Sequence, residues 1–158
     1  MVNAMQGERN RVVVHFKDGR VLKGYTHNFT PLKETIHLTS EQVKDTENIY
    51  EISTADLKAI FFVKTLEGNK DYVEQKRFDE VDNPHLRGLK VKAEFSDGEI
   101  ISGTSLGYSG ERKGFFMVPV DPQSNNERIY VLADALEDVK LGSAAEKYAK
   151  AWVESPLY

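Results

Sequence analysis

Cysteine is missing altogether from the 158 residues, which removes disulfides and thiolate metal sites at once and fits a reducing, cytoplasmic setting. Long apolar runs are missing too, and nothing approaches the ~20 residues that a membrane-spanning helix needs. The opening stretch Met1–Gly7 is polar and lacks the charged-then-apolar layout of a signal peptide. No membrane association is expected. Nor does one sign of charge dominate, since 21 basic side chains face 25 acidic ones for a net charge of −4. A chain so balanced has no global attraction for phosphate, and nucleic-acid binding would need a local basic patch. With 40% hydrophobic and 29% charged residues, the composition is that of a globular protein rather than a disordered one.

What is present is a duplication. Residues 11–64 and 90–141 share an opening phrase, with Phe16/Phe95, Asp18/Asp97, Gly19/Gly98 and Gly24/Gly103 all at one offset of 79. Leu57/Leu136 and Ile60/Val139 keep that offset, while Ile49-Tyr50 answers Ile129-Tyr130 one residue out of step. The repeat is too long for a solenoid unit and suits a small barrel with its own core. Units of roughly 60 residues are marginally stable alone, so the two copies are expected to pack on each other.

Each copy reads as five strands. Val12 to Phe16 and Val91 to Phe95 are β-rich, and Asp18-Gly19 and Asp97-Gly98 favour tight two-residue hairpin turns. Gly24 and Gly103 fall inside the returning strand, where glycine marks a bulge or bend. Third strands follow at 34–38 and 114–118, and fourth strands at 49–52 and 129–132. A short 3₁₀-sized linker then leads to fifth strands at 57–63 and 136–141. Residues 70–87 form a charge-rich but ordered connector. Ser143-Ala144-Ala145-Glu146 fits a capping box, with Ala144, Tyr148, Ala151 and Trp152 on one helical face, so a helix is expected that docks Tyr148 and Trp152 on a barrel or, alternatively, presents them to a partner. The fold class is mainly all-β: a first small barrel over 8–68, a connector over 69–88, a second barrel over 89–142 and a short helix over 143–155.

Chemistry-bearing motifs are sparse. His15, His27, His37 and His85 show no structural zinc spacing and do not recur between copies, so no metal is assigned. Ser40, Ser53 and Ser102 lack the strand-to-helix elbow of a hydrolase nucleophile. The glycines of 103–110 precede no Lys-Ser/Thr and open no helix, unlike a phosphate loop. No catalytic residue, enzyme activity or cofactor is expected. Two features keep binding open. Arg112 and Lys113, next to Phe115 and Phe116, could form a cation-plus-aromatic surface for single strands, or merely a charged turn leading into a core strand. Asn125, Asn126 and Arg128 form the second, although the asparagines can equally serve to build the turn.

The hydrophobic-F-x-D-G-x(4)-G openings, Phe16 to Gly24 and Phe95 to Gly103, resemble the Sm-like branch of the SH3-like small barrels. The phrases at 57–63, 114–119 and 124–131 resemble an uncharacterised bacterial family of small β-domains. The resemblance implies tandem five-stranded Sm/SH3-like barrels, which in Sm proteins pair through edge strands. The Asp/Asn pair of the Sm RNA site is absent from 29–34 and 109–114, and its basic-residue-plus-glycine signature is absent from 50–52 and 130–132. The expected function is therefore a non-catalytic binding or assembly module, acting on an unknown protein partner or by self-association through edge strands. The alternatives are single-stranded nucleic-acid (RNA) binding at the basic/aromatic patch and, third, a small-molecule or nucleotide sensor.

Overall fold

The computed structural model describes residues 9–27, 29–40, 48–81 and 86–148. The first copy supplies β1 (Asn10–Phe16), β2 (Val21–Thr26), β3 (Thr35–Ser40), β4 (Ile49–Ser53) and β5 (Leu57–Val63). The second supplies β6 (Leu89–Phe95), β7 (Ile100–Ser105), β8 (Gly114–Pro119), β9 (Asn126–Leu132) and β10 (Leu136–Leu141). All ten are antiparallel neighbours in one open sheet of order β10-β6-β7-β8-β9-β5-β1-β2-β3-β4. Within each copy the order is therefore fifth-first-second-third-fourth, and 3₁₀ turns at Thr54–Asp56 and Ala133–Ala135 precede the fifth strands. The mainly all-β expectation is met. The copies do more than pack against each other, because β5 and β9 make the sheet continuous.

That joint explains where the apolar residues went. Every residue of β5 is buried. Its side chains alternate between two cores: Leu57, Ile60 and Phe62 join Val12, Val14, Ile36 and Leu38 of the first copy. Ala59, Phe61 and Val63 join Val91, Phe95, Phe115 and Met117 of the second. β9 reciprocates, giving Ile129 and Val131 to its own core and Tyr130 and Leu132 to the other. The two strands form a shared wall with apolar side chains on both faces, which is why β5 reads as a continuous hydrophobic run.

The hairpins differ from the sequence expectation. Gly19 N–H donates to Phe16 O (3.0 Å) and Phe16 N–H to Arg20 O (2.9 Å), with Gly19 at φ +96°. This is a three-residue loop whose glycine occupies the left-handed position, and Phe95 to Glu99 repeats it with Gly98 at +95°. Aspartate does not take the positive φ; its carboxylate instead accepts the N–H two residues on, from Arg20 and from Glu99 (3.0 Å each). Gly24 and Gly103 serve close approach: a Cβ there would overlap the carbonyl oxygens of Thr39 and Val118 on the next strand.

Strand register also corrects the match between copies. Leu38 pairs with Tyr50 and Met117 with Ile129. The offset of 79 thus holds throughout, so Tyr50 corresponds to Ile129 and Glu51 to Tyr130, and the two Ile-Tyr dipeptides are not equivalent.

At the C-terminal end, Gly142–Glu146 is a 3₁₀ turn without a side-chain cap, and Lys147 is already extended (φ −99°, ψ 136°). A helix running 143–155 is therefore not formed at its start, and Ala151 and Trp152 lie outside the described residues. The described part of the segment packs on the second copy and the connector through Ala145 and Tyr148. Ala145 is buried with Phe78 and Val120, and the Tyr148 hydroxyl lies 2.7 Å from Ser102 Oγ and accepts the Phe78 N–H at 3.1 Å. The described part of the connector, 69–81 and 86–88, includes the 3₁₀ turn Phe78–Glu80, and His85 lies outside the described residues.

A cation locks the joint. The ladder from β1 to β5 slips between His15 and Phe16, leaving Lys58 as the extra residue, and such a bulge re-aims its side chain. Lys58 is buried, lies over the Phe95 ring (4.8 Å to the centroid) and donates to Asp97 (2.7 Å) and Glu99 of the second hairpin. Burial pulls the ammonium pKa down, but the hydrogen bonds to Asp97 and Glu99 outweigh it and leave it raised. Asp97 is held below its ordinary value by the Lys58 hydrogen bond and then by the Glu99 N–H.

The raised Lys58 contributes stability in full below about pH 10.5, and this is lost as pH climbs through its folded value. The depressed Asp97 contributes stability above about pH 4, lost as pH falls through its lowered value. Lys58→Met is therefore expected to flatten both the acid and alkaline limbs of thermal stability plotted against pH, as measured by thermal unfolding across the range.

Candidate functional site

Alternation along β8 and β9 sends Phe115 and Met117 into the second core and turns Phe116 and Val118 to the opposite face. Opposite Phe116 stands Tyr130, and opposite Phe62 stands Arg128. On this face the sheet floors a groove of about 1200 Å³, walled on one side by the Pro31-Leu32-Lys33 loop of the first copy. The second copy lines it further with Leu106-Gly107, Glu111–Lys113, Pro119, Asp121 and Pro122, and the connector adds Leu86-Arg87. The groove draws on both copies: the first copy's Pro31-Leu32-Lys33 loop lines it together with β8 and β9 of the second.

Under its floor lies an aromatic cluster, of which Phe116 and Tyr130 line the groove. Phe29, Phe62, Phe116 and Tyr130 lie with ring centroids 5.0–6.1 Å apart in tilted or edge-on pairs. The Arg128 guanidinium sits over Phe62 (4.3 Å) and Phe116 (4.8 Å), an arrangement that fixes a planar cation by the ring quadrupoles. Gly114 is required beneath it, because a Cβ there would meet the Tyr130 ring and hydroxyl at 2.7 Å. Burial raises the Tyr130 phenol pKa, opposed by the nearby Arg112 charge.

Charge in the groove runs against the chain's net sign. Lys33, Lys64, Arg87, Arg112, Lys113 and Arg128 line it, against Glu111, Asp121 and Glu127. Asp121 is already engaged: it accepts from the Tyr72 hydroxyl (2.5 Å) and from the N–H groups of Gln75 (2.8 Å) and Gln123 (2.9 Å). Burial pushes the Asp121 pKa up, but these hydrogen bonds, with the charge of Lys64, leave it lowered. Lys113 meets Glu34 at 3.4 Å between two exposed side chains, a pair worth little in water. Arg112 and Arg128 form no ion pair with a carboxylate of the described residues.

Of the residues singled out from sequence, Arg112, Lys113, Asn126 and Arg128 come together in this groove. Asn125 does not. Its side chain accepts from Thr65 N–H (3.1 Å) and donates to Thr65 O (2.9 Å), tying the β8–β9 loop to the chain after β5. Phe115 is buried, so the expected cation-plus-aromatic surface at 112–116 has a different make-up, with Arg128 covering Phe116. Sequence reading missed Lys33, Lys64 and Arg87, each in a segment with no motif of its own. His15 stacks on Phe61 (4.5 Å), and burial lowers its pKa despite nearby acids. Among the described residues no three potential metal ligands cluster, and no helix is long and apolar enough to cross a membrane.

The molecule is thus an all-β protein whose duplicated sheet carries a basic-walled, apolar-floored groove across its joint. It belongs to DUF6982, a family of unknown function, whose model matches residues 8–143 and so spans both copies and the connector. Comparison with curated proteins and with solved structures gave no match.

Tyr72 reports on the groove wall. Its hydrogen bond to Asp121, with burial and nearby negative charge adding, pushes its phenol up to about 12. Asp121→Asn is expected to return one late-titrating tyrosine towards about 10, read by ultraviolet absorbance titration.

Proposed function

We propose that this protein is a non-catalytic binding module, built from two small barrels of Sm/SH3-like type and taking an anionic ligand in the groove across their joint. The fifth-first-second-third-fourth strand order, the close-approach glycine in the second strand and the 3₁₀ turn before the fifth support the barrel reading of each copy. The observation that carries the function is the local charge: six cations against three carboxylates, one of them engaged, in a chain of net charge −4. Open lining, an Arg128 guanidinium held over two rings, and no nucleophile paired with a base among the described residues suit capture rather than chemistry. A cysteine-free chain suits a reducing cytoplasm.

Single-stranded nucleic acid is the second reading, favoured by cations spaced along an open groove. Self-association is weighed against by charge at the free edges, β4 and β10. In the inner joint Ala59, Ile60 and Phe61 oppose Val131, Tyr130 and Ile129. At the same offset a second molecule would oppose Asp138, Val139 and Lys140 to Ile52, Glu51 and Tyr50, burying three charges where the joint holds apolar groups or a phenol. Charged side chains along an edge strand keep sheet edges from pairing.

Polyglutamate and a thymidine oligonucleotide serve as anionic probes. At least one should bind at low salt, weaken as salt rises, and lose about tenfold or more in affinity on combined Arg112→Ala, Lys113→Ala and Arg128→Ala substitution. No binding of either at low salt would sink the proposal. The edges make a separate expectation: the wild-type chain stays monomeric in light scattering, whereas Glu51→Tyr, Asp138→Ala and Lys140→Phe together produce head-to-tail oligomers.

A further inference from the structure

We infer that the groove's natural occupant is an extended, acidic peptide segment of a partner protein, one that alternates carboxylate and aliphatic side chains. The inference rests on the groove being the ligand site and names the ligand's chemistry.

Three observations select that chemistry. First, the groove carries aliphatic side chains that water should not wet: Leu32 is 94% exposed, Leu106 88% and Val118 50%. They stand on the β2–β3 loop of the first copy, the loop after β7, and β8 itself. Scattered exposed leucines need no explanation, but several facing one groove mark a surface meant to be covered. A phosphate-rich strand offers them little, whereas leucine-like side chains of a peptide would bury them.

Second, the ring faces on which nucleobases would stack are already taken. Phe115 and Tyr130 are buried, and Phe116 lies beneath the Arg128 guanidinium. The flat surface presented to a ligand is thus the guanidinium itself, a rigid fork of N–H donors whose geometry fits a carboxylate in two parallel hydrogen bonds. Arg112, exposed near Tyr130, supplies a second such fork.

Third, the groove is large and open, at about 1200 Å³, larger than the ~300–1,000 Å³ pockets typical of small molecules. Its walls come from both copies and from the connector, so an occupant must be long enough to touch all three.

The test uses the full chain and labelled synthetic peptides of alternating glutamate and leucine, with glutamine-leucine and glutamate-serine peptides of equal length as controls, and a thymidine oligonucleotide as the rival. Fluorescence anisotropy should show the glutamate-leucine peptide binding tightest. Arg128→Ala or Arg112→Ala should weaken it by about tenfold, through lost charge-assisted hydrogen bonds. Leu32→Ser with Leu106→Ser, both on exposed side chains, should weaken it without affecting the oligonucleotide. Two results overturn the inference while leaving the groove as an anion site: the glutamate-serine peptide binding as well as the glutamate-leucine one, or only the oligonucleotide binding. Binding of no anionic probe overturns both readings.

Discussion

The ladder between β5 and β9 holds the rest of the molecule in place, because each of its strands belongs to two cores at once. A half-buried strand needs one apolar face; these two need both, and they have them. Ala59 and Phe61 complete the core of the second copy, and Tyr130 and Leu132 that of the first. Neither copy can release its partner without opening its own interior. Lys58 adds a directional element, since a bulge aims its ammonium at a hairpin of the other copy, where two carboxylates and the Phe95 ring receive it.

The groove follows from this joint. Continuity of the sheet brings the first copy's Pro31-Leu32-Lys33 loop and the second copy's β8 and β9 to one groove, lined by residues of both copies. The aromatic cluster under its floor is shared in the same way, Phe29 and Phe62 from one copy packing against Phe116 and Tyr130 from the other. Arg128, at the ladder's end, is held over that shared cluster. Duplication with divergence thus placed a cation where the corresponding position of the first copy is Ile49.

Much of this was legible in the sequence, and the part that was not has physical causes. β-rich stretches and the Asp-Gly and Gly punctuation between them located all ten strands, because strands and turns are set largely by neighbours in sequence. The turn type escaped, since Asp-Gly serves a three-residue loop as well as a two-residue one, and only the Phe16–Arg20 hydrogen bond separates them. The Ile-Tyr dipeptides misled, because identical letters recurred one register step apart; pairing of Leu38 and Met117 resolves it. The capping-box pattern at 143–146 lost to burial of Ala145 against Phe78 and Val120, which bends the chain into a single 3₁₀ turn. Arg112, Lys113, Asn126 and Arg128 stood out locally. Lys33 and Arg87 became part of the same site only through the fold, and no local pattern carries that information.

The two-faced burial of β5 also shapes how the chain comes to be folded. Emerging from the ribosome, this strand follows β4 directly, yet its partner β9 lies beyond the connector and three further strands. In that interval it presents Ala59, Phe61 and Val63 with nothing to cover them, along an unpaired edge. Such a segment is the kind that draws other nascent chains into mispairing. Closure must also wait for a contact of long sequence separation, which makes it the slow step of assembly. Carrying both copies on one polypeptide is the remedy as well as the cause, because the tether keeps the correct edge at high effective concentration from the moment it is made.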